Sequence, residues 1–168
     1  NTVFEELELR ELLNEEILSQ SDAPSKIAQD IETKYRGLGY HFVHVTPQAS
    51  KLIVQKLNVV RFLIEEGVKV RIDRTHFTGS TTTLSEEMLS HIFFSKAPSP
   101  ISRRIYSVEG MAESTAALKK EMERLGYIHA SITGPRAVFS DDRKGVDLFF
   151  SVELGTQSRV AHVKFEGA

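Results

Sequence analysis

Six histidines, His41, His44, His76, His91, His129 and His162, are the side chains best suited to bind a metal or move a proton near neutral pH. Their spacing argues against both roles. His41 and His44 lie three apart on a segment that reads as a strand, which sends them to opposite faces. No pair has the His-x-x-x-His spacing of a helical zinc site. Cysteine is absent, so thiolate ligands, thiol nucleophiles and disulfides are excluded together. Thr133-Gly134-Pro135-Arg136 has one glycine and lacks the pattern of a phosphate-cradling loop. Asp141-Asp142 runs straight into Arg143-Lys144-Gly145, which suits a hairpin turn better than a calcium loop. Arg103-Arg104 and Lys119-Lys120 read as solvated faces. No Gly-x-Ser-x-Gly elbow is present. The residues assemble no catalytic constellation, and the expectation is a protein that is not an enzyme and takes no cofactor or metal.

Something other than chemistry must therefore organise the chain, and composition bounds what that is. The 168 residues suffice for one domain or two small ones. Hydrophobic residues make up 40% and charged residues 26%, the balance of a globular protein. A net charge of −2 offers no general surface for a polyanion, so nucleic acid is not an expected partner. No stretch reaches the roughly 18–20 apolar residues of a membrane span. The chain opens on Asn1 without a signal-peptide pattern, which suggests a piece cut from a longer precursor.

The informative feature is an internal repeat. Gly67, Arg71, Phe77 and Gly79 recur 88 positions later as Gly155, Arg159, Phe165 and Gly167. Leu38-Gly39-Tyr40 recurs 87 positions later as Leu125-Gly126-Tyr127. Glu86-Glu87-Met88 resembles Glu5-Glu6-Leu7, and Phe93-Phe94 then matches Leu12-Leu13. Three pairs in one order point to duplication.

Within each copy the patterns predict the same elements. Glu5–Ser19 has leucines and isoleucine near helical spacing behind acidic residues. A second helix, capped by Asp22 or Ser25, runs through Ile27, Ile31 and Tyr35 until Gly37 and Gly39 end it. β-Branched and aromatic residues predict strands over Tyr40–Thr46 and Asn58–Glu65. In the second copy helices are expected over Ser85–Phe94 and Met111–Leu125. Strands are expected over Tyr127–Thr133 and Gly145–Leu154, joined by a turn at Ser140–Gly145. Val68–Phe77 and Ser158–Phe165 each read as one further strand, the first with a phase slip that predicts a bulge near Asp73-Arg74. Gly39, Gly67 and their copies read as turn glycines, Gly67 marking the junction, whereas Gly110 carries no such signal.

These residues resemble the POTRA (polypeptide-transport-associated) repeats of the BamA/TamA superfamily and its chloroplast relatives. The shared pattern is Gly39-Tyr40 after the second helix, a hairpin ending in Glu66-Gly67, and an alternating strand ending in Phe77-Thr78-Gly79. The second copy has Gly126-Tyr127, Leu154-Gly155 and Phe165-Glu166-Gly167. Leu154 stands where the pattern has glutamate, Ser80 where asparagine is common, and Ser95–Gly110 is longer than the usual link between the helices. The resemblance implies an α+β fold of tandem β-α-α-β-β repeats, each a three-stranded mixed sheet covered by two helices. It divides the chain into a repeat over 1–66 without its first strand, a complete repeat over 67–154, and the first strand of a following repeat over 155–168.

The same resemblance implies the periplasmic part of an outer-membrane β-barrel insertase or translocase, or its intermembrane-space equivalent in a chloroplast relative. The parent chain would then carry a C-terminal membrane barrel. Expected partners are unfolded outer-membrane or secreted proteins, together with accessory assembly lipoproteins or chaperones. A small sheet must leave an edge whose N–H and C=O groups can accept an extended peptide, whatever its side chains. The resemblance places that edge on the strand after Gly-Tyr. The expected client-binding residues are Tyr40, His41, Phe42, Val43, His44 and Val45, and Tyr127, Ile128, His129, Ala130, Ser131 and Ile132. The alternative is a structural spacer, or a divisome-type POTRA domain that contacts folded partners only.

Overall fold

In a computed structural model, residues 22–52, 57–79, 83–159, 161–162 and 164–165 are described. The helix expected over Glu5–Ser19 lies outside them. The chain divides into two compact units between Val70 and Arg71.

The described part of the first unit is a helix followed by a hairpin. Helix α1 spans Ala23–Gly37, with Pro24 in its first turn, where a missing N–H costs nothing. Ile27, Ala28, Ile31 and Tyr35 recur on one buried face. They pack on Val43 and Val45, with Tyr40, Phe62 and Ile64 closing the cluster. Strands β1 (His44–Leu52) and β2 (Leu57–Glu65) pair antiparallel, His44 opposite Glu65 and Val45 opposite Ile64.

The second unit follows the order expected of a complete repeat: β3 (Arg71–Gly79), α2 (Glu86–Lys96), α3 (Val108–Arg124), β4 (Ser131–Phe139) and β5 (Gly145–Glu153). Ser85 caps α2 by accepting the Met88 N–H, and Ser107 caps α3 by accepting the Gly110 N–H. Strand β5 lies centrally, parallel to β3 on one side and antiparallel to β4 on the other. Its Val146, Leu148, Phe150 and Val152 are buried, one face of the pleat turned to the core. Leu89 and Phe93 of α2 and Leu118 and Met122 of α3 are fully buried in this unit. The sheet is mixed and three-stranded, as expected. The bulge expected near Asp73-Arg74 is there too, as a register shift between Ile72 and Arg74.

The largest differences from the sequence reading are at β1, β4 and the end of the chain; β1 and β4 run to Leu52 and Phe139, six residues past the expected Thr46 and Thr133. Strands β1 and β4 begin at His44 and Ser131, four residues after the tyrosines that were expected to open them. The cause is backbone hydrogen bonding. At the end of α1, Tyr40 N–H donates to Tyr35 C=O (3.1 Å) and Gly39 N–H to Arg36 C=O (3.0 Å), with Gly39 at φ 101°. At the end of α3, Tyr127 N–H donates to Met122 C=O (2.9 Å) and Gly126 N–H to Glu123 C=O (2.9 Å). Each closure is followed by a β-turn, Val43 N–H to Tyr40 C=O and Ala130 N–H to Tyr127 C=O. The aromatic residues that look like strand openers are turn residues.

The second difference is at the end of the chain. The described residues after Glu153 form no strand, against the expectation for Ser158–Phe165. A strand exists only by pairing, and among the described residues no hairpin lies beside this segment. Ser158 N–H instead donates to Gly126 C=O at 2.8 Å.

Candidate functional site

The turn geometry relocates the expected peptide-binding residues. Tyr40, His41, Phe42 and Val43 form the turn of the first unit, and Tyr127, Ile128, His129 and Ala130 that of the second. Val43, Tyr127 and Ala130 are buried, so they anchor the turn and offer no main-chain edge. Only His44, Val45, Ser131 and Ile132 of the twelve lie on strands.

The strands themselves do occupy edges. In the order β3-β5-β4, strand β4 has β5 on one side, and among the described residues nothing pairs with the other. The sequence carries a signal for this edge. Pro47 and Pro135 recur 88 positions apart, and a residue without an N–H is tolerated in sheets almost only on edge strands. Thr46 and Thr133 are 87 apart, and the extra residue, Gly134, falls where β4 shifts register against β5 between Thr133 and Arg136. The bulge divides the β4 edge into Ser131–Thr133 and Arg136–Phe139.

Beside the first of these runs lies a groove of about 480 Å³ between α3 and β4. Met111, Ala112, Thr115 and Ala116 form its helical wall, Ile132, Gly134 and Pro135 its strand wall, and Lys119 its charged rim. The two alanines leave the width. A strand side chain could enter there while its backbone pairs with β4.

The equivalent edge of the first unit is closed at its start. Glu32, on α1, accepts the Val45 N–H at 3.0 Å, and also holds Arg36 at 2.8 Å and His44 at 3.4 Å. The residue 87 positions on is Lys119, which carries no acceptor. The two edges that sequence reasoning treated alike therefore differ.

The open face of the second sheet has a row across its three strands. His76 stacks on Phe149 (4.6 Å, 18°), and the Arg136 guanidinium lies 4.7 Å from the centre of the same ring. His76 faces Glu86 at 3.3 Å and Asp147 at 3.9 Å. Among the described residues no cluster of histidine and carboxylate groups is suited to a metal. Burial, and then Glu109, push the Tyr106 phenol above its ordinary range, which keeps it neutral against Phe139. None of these groups converges on a place where a reacting atom would sit.

A family model described as "POTRA: Surface antigen variable number repeat" matches residues 70–155. The chain belongs to the POTRA family. Solved structures resemble it at low identity. One is BamA POTRA3-5 of Haemophilus influenzae, 19% identical over 100% of this chain and 68% of that one, with a TM-score of 0.48. Another is the N-terminal domain of Omp85 from Thermosynechococcus elongatus, 14% identical over 79% of this chain and 49% of that one, TM-score 0.46. A third is POTRA1-3 of the periplasmic domain of Omp85 from Anabaena, 17% identical over 82% and 55%, TM-score 0.43. The chain spans about half the length of the two Omp85 pieces. The matched residues 70–155 take in every helix and strand of the second unit.

Proposed function

We propose that these POTRA units are a non-catalytic periplasmic module of an outer-membrane β-barrel protein insertase or translocase. They receive unfolded outer-membrane or secreted polypeptide by β-augmentation and scaffold accessory lipoproteins or chaperones. The observation that carries the reading is the β4 edge, unpaired on its outer side among the described residues and flanked by an apolar groove on α3. Main-chain pairing ignores side-chain identity, which suits a receptor for many clients. Each net backbone hydrogen bond contributes only ~0.5–1.5 kcal/mol, and runs of three and four residues limit their number. Affinity per unit is then low, and repeats in one parent chain raise it by acting together.

The test uses the outward donors of β4. Ser140 N–H donates to Gly145 C=O, so by alternation Ala137 N–H points away from β5. Ala137→Pro removes that donor and leaves the β5 ladder intact, and Ala137→Ser keeps it. A labelled peptide from a membrane β-strand is titrated into the chain and followed by amide shifts. The expected result is shifts along β4 and the facing side of α3, lost with proline and kept with serine. Shifts confined to helices, or a folded proline variant that binds normally, would transfer the assignment to a spacer that contacts folded partners.

A further inference from the structure

A three-stranded sheet has two edges, and the second unit treats them differently. We propose that the connection between α2 and α3, together with Glu86, is an edge guard that closes β3, so that an extended peptide is admitted at β4 alone. This rests on the peptide-receptor reading above, which names β4, and adds what closes the other edge.

The main-chain contacts carry the argument. Arg71 N–H points inward and donates to Lys144 C=O (2.8 Å), so Ile72 N–H points outward. It donates to Arg104 C=O at 2.8 Å, and Ile105 forms a bridge with Arg71. Farther along, Phe77 N–H points outward and meets Glu86 Oε1 at 3.4 Å. A strand arriving beside β3 would find both donors occupied and residues 104–105 in its path. Between the two closures is a notch of about 290 Å³ flanked by Asp73, Arg74, Glu86 and Arg104, with Thr75 Oγ1 tied to Ser90 Oγ at 2.8 Å. Charged side chains at an edge discourage pairing further.

The connection is built to hold that position. Arg104 has φ 59° and ψ 33°, a left-handed conformation that an arginine adopts at a cost. Its N–H donates to Ile101 C=O, its guanidinium lies 4.1 Å from the centre of the Phe94 ring, and Ile101 is fully buried. The left-handed residue ends the helical turn Ile101–Arg103 and at the same time turns its C=O to the edge N–H. The unusual length of this stretch then has a use.

Two variants of the full chain test this. Proline cannot take the Arg104 conformation, so Arg104→Pro removes the Ile72 closure; Arg104→Gly keeps it and serves as control. Glu86→Ala removes the Phe77 closure at a half-exposed site with little risk to folding. By amide exchange, Ile72 and Phe77 are protected in the parent chain, and Glu86→Ala speeds Phe77 roughly 2- to 10-fold. A nitroxide-labelled peptide of alternating apolar and polar residues broadens β4 and α3 in the parent chain. In the double variant Arg104→Pro/Glu86→Ala it broadens residues 73–77 as well. Broadening along β3 in the parent chain overturns the proposal, as does unprotected Ile72 and Phe77. A folded double variant that binds at β4 alone also overturns it. If peptide binds neither edge in any form, the receptor reading fails instead. The guard is then judged on exchange and on sedimentation: it stands if the double variant self-associates, and falls if that variant stays monomeric. If Arg104→Pro does not fold, Glu86→Ala alone decides through Phe77 exchange.

Discussion

The two units place different chemistry at equivalent positions. In the first unit Tyr35 is fully buried and donates its hydroxyl to Glu66 at 3.0 Å. In the second the positions 87 and 88 residues on are Met122 and Leu154, both buried. Leu154, which departs from the glutamate-glycine pattern, thus stands with Met122 at the positions of the first unit's polar pair, and both are apolar. At the edges a single position differs: Glu32 closes β1, and Lys119 leaves β4 to its groove. What stays constant is backbone geometry. Val70 N–H donates to Gly39 C=O (3.0 Å) just as Ser158 N–H donates to Gly126 C=O (2.8 Å). Each unit thus ties its own outgoing segment to the turn after its last helix. The repeat is conserved in main-chain hydrogen bonds and free to vary in side chains.

Breaking one half of a matched pair should cost most. Leu154→Glu puts a carboxylate into the second core, where Met122 stands at the position of the first unit's tyrosine donor and cannot donate, and about 3–5 kcal/mol of that unit's stability is expected to go. Adding Met122→Tyr restores the donor and should recover part of the loss. Chemical denaturation of the single and double variants measures both. Equal destabilisation by both would mean that the two positions are not a pair.

The closure of β1 is the next largest effect. Glu32→Ala removes a charge-assisted hydrogen bond to the Val45 N–H together with the Arg36 and His44 contacts. About 1.5–3 kcal/mol is expected, with faster exchange at Val45. Peptide that broadens β1 in Glu32→Ala but not in the parent chain would show that the acceptor separates the two edges. Unchanged exchange at Val45 would remove that distinction.

Tyr35→Phe is gentler, since Glu66 is only partly buried and water can replace the hydroxyl. A loss of about 0.5–1.5 kcal/mol in the first unit is expected from the denaturation midpoint. No loss would leave the tyrosine as filler and the matched pair without energetic content.

Element order and the bulge in β3 follow from periodicity and duplication, which local pattern carries, whereas the mixed sheet came only with the family resemblance. The starts of β1 and β4 were misplaced because Tyr40 and Tyr127 have strand-type side chains, while a glycine at positive φ two bonds away decides their conformation. Pro47 and Pro135 marked the edges in plain view; only the repeat offset shows that they belong together. Glu32 over Val45 and Arg104 over Ile72 could not be read, because each joins residues distant in the chain through a main-chain N–H. Gly110 is a case of the same kind. A Cβ there would lie 2.8 Å from Ile101 Cγ1, a packing constraint with no local sign.

The smallest expected effect is at the β4–β5 turn, where acid tests an interaction confined to the second unit's hairpin. Asp142 accepts from the Ser140 hydroxyl (2.7 Å) and the Lys144 N–H (3.1 Å), and these hold its carboxyl below the ordinary carboxylate range. Its folded pKa is lower than its unfolded one, so the unfolded chain binds the proton more readily. The contribution is fully present above the unfolded value and disappears as pH falls through the folded one. The group is exposed and screened, so the effect should be slight at neutral pH. Asp142→Asn removes the titration while keeping an acceptor for both donors. The acid limb of the second unit's melting temperature, followed through an amide of β5, should flatten slightly in the variant, while β1–β2 resonances titrate as before. An identical acid limb in both proteins would show that the turn holds its shape through Ser140 and Gly145 alone.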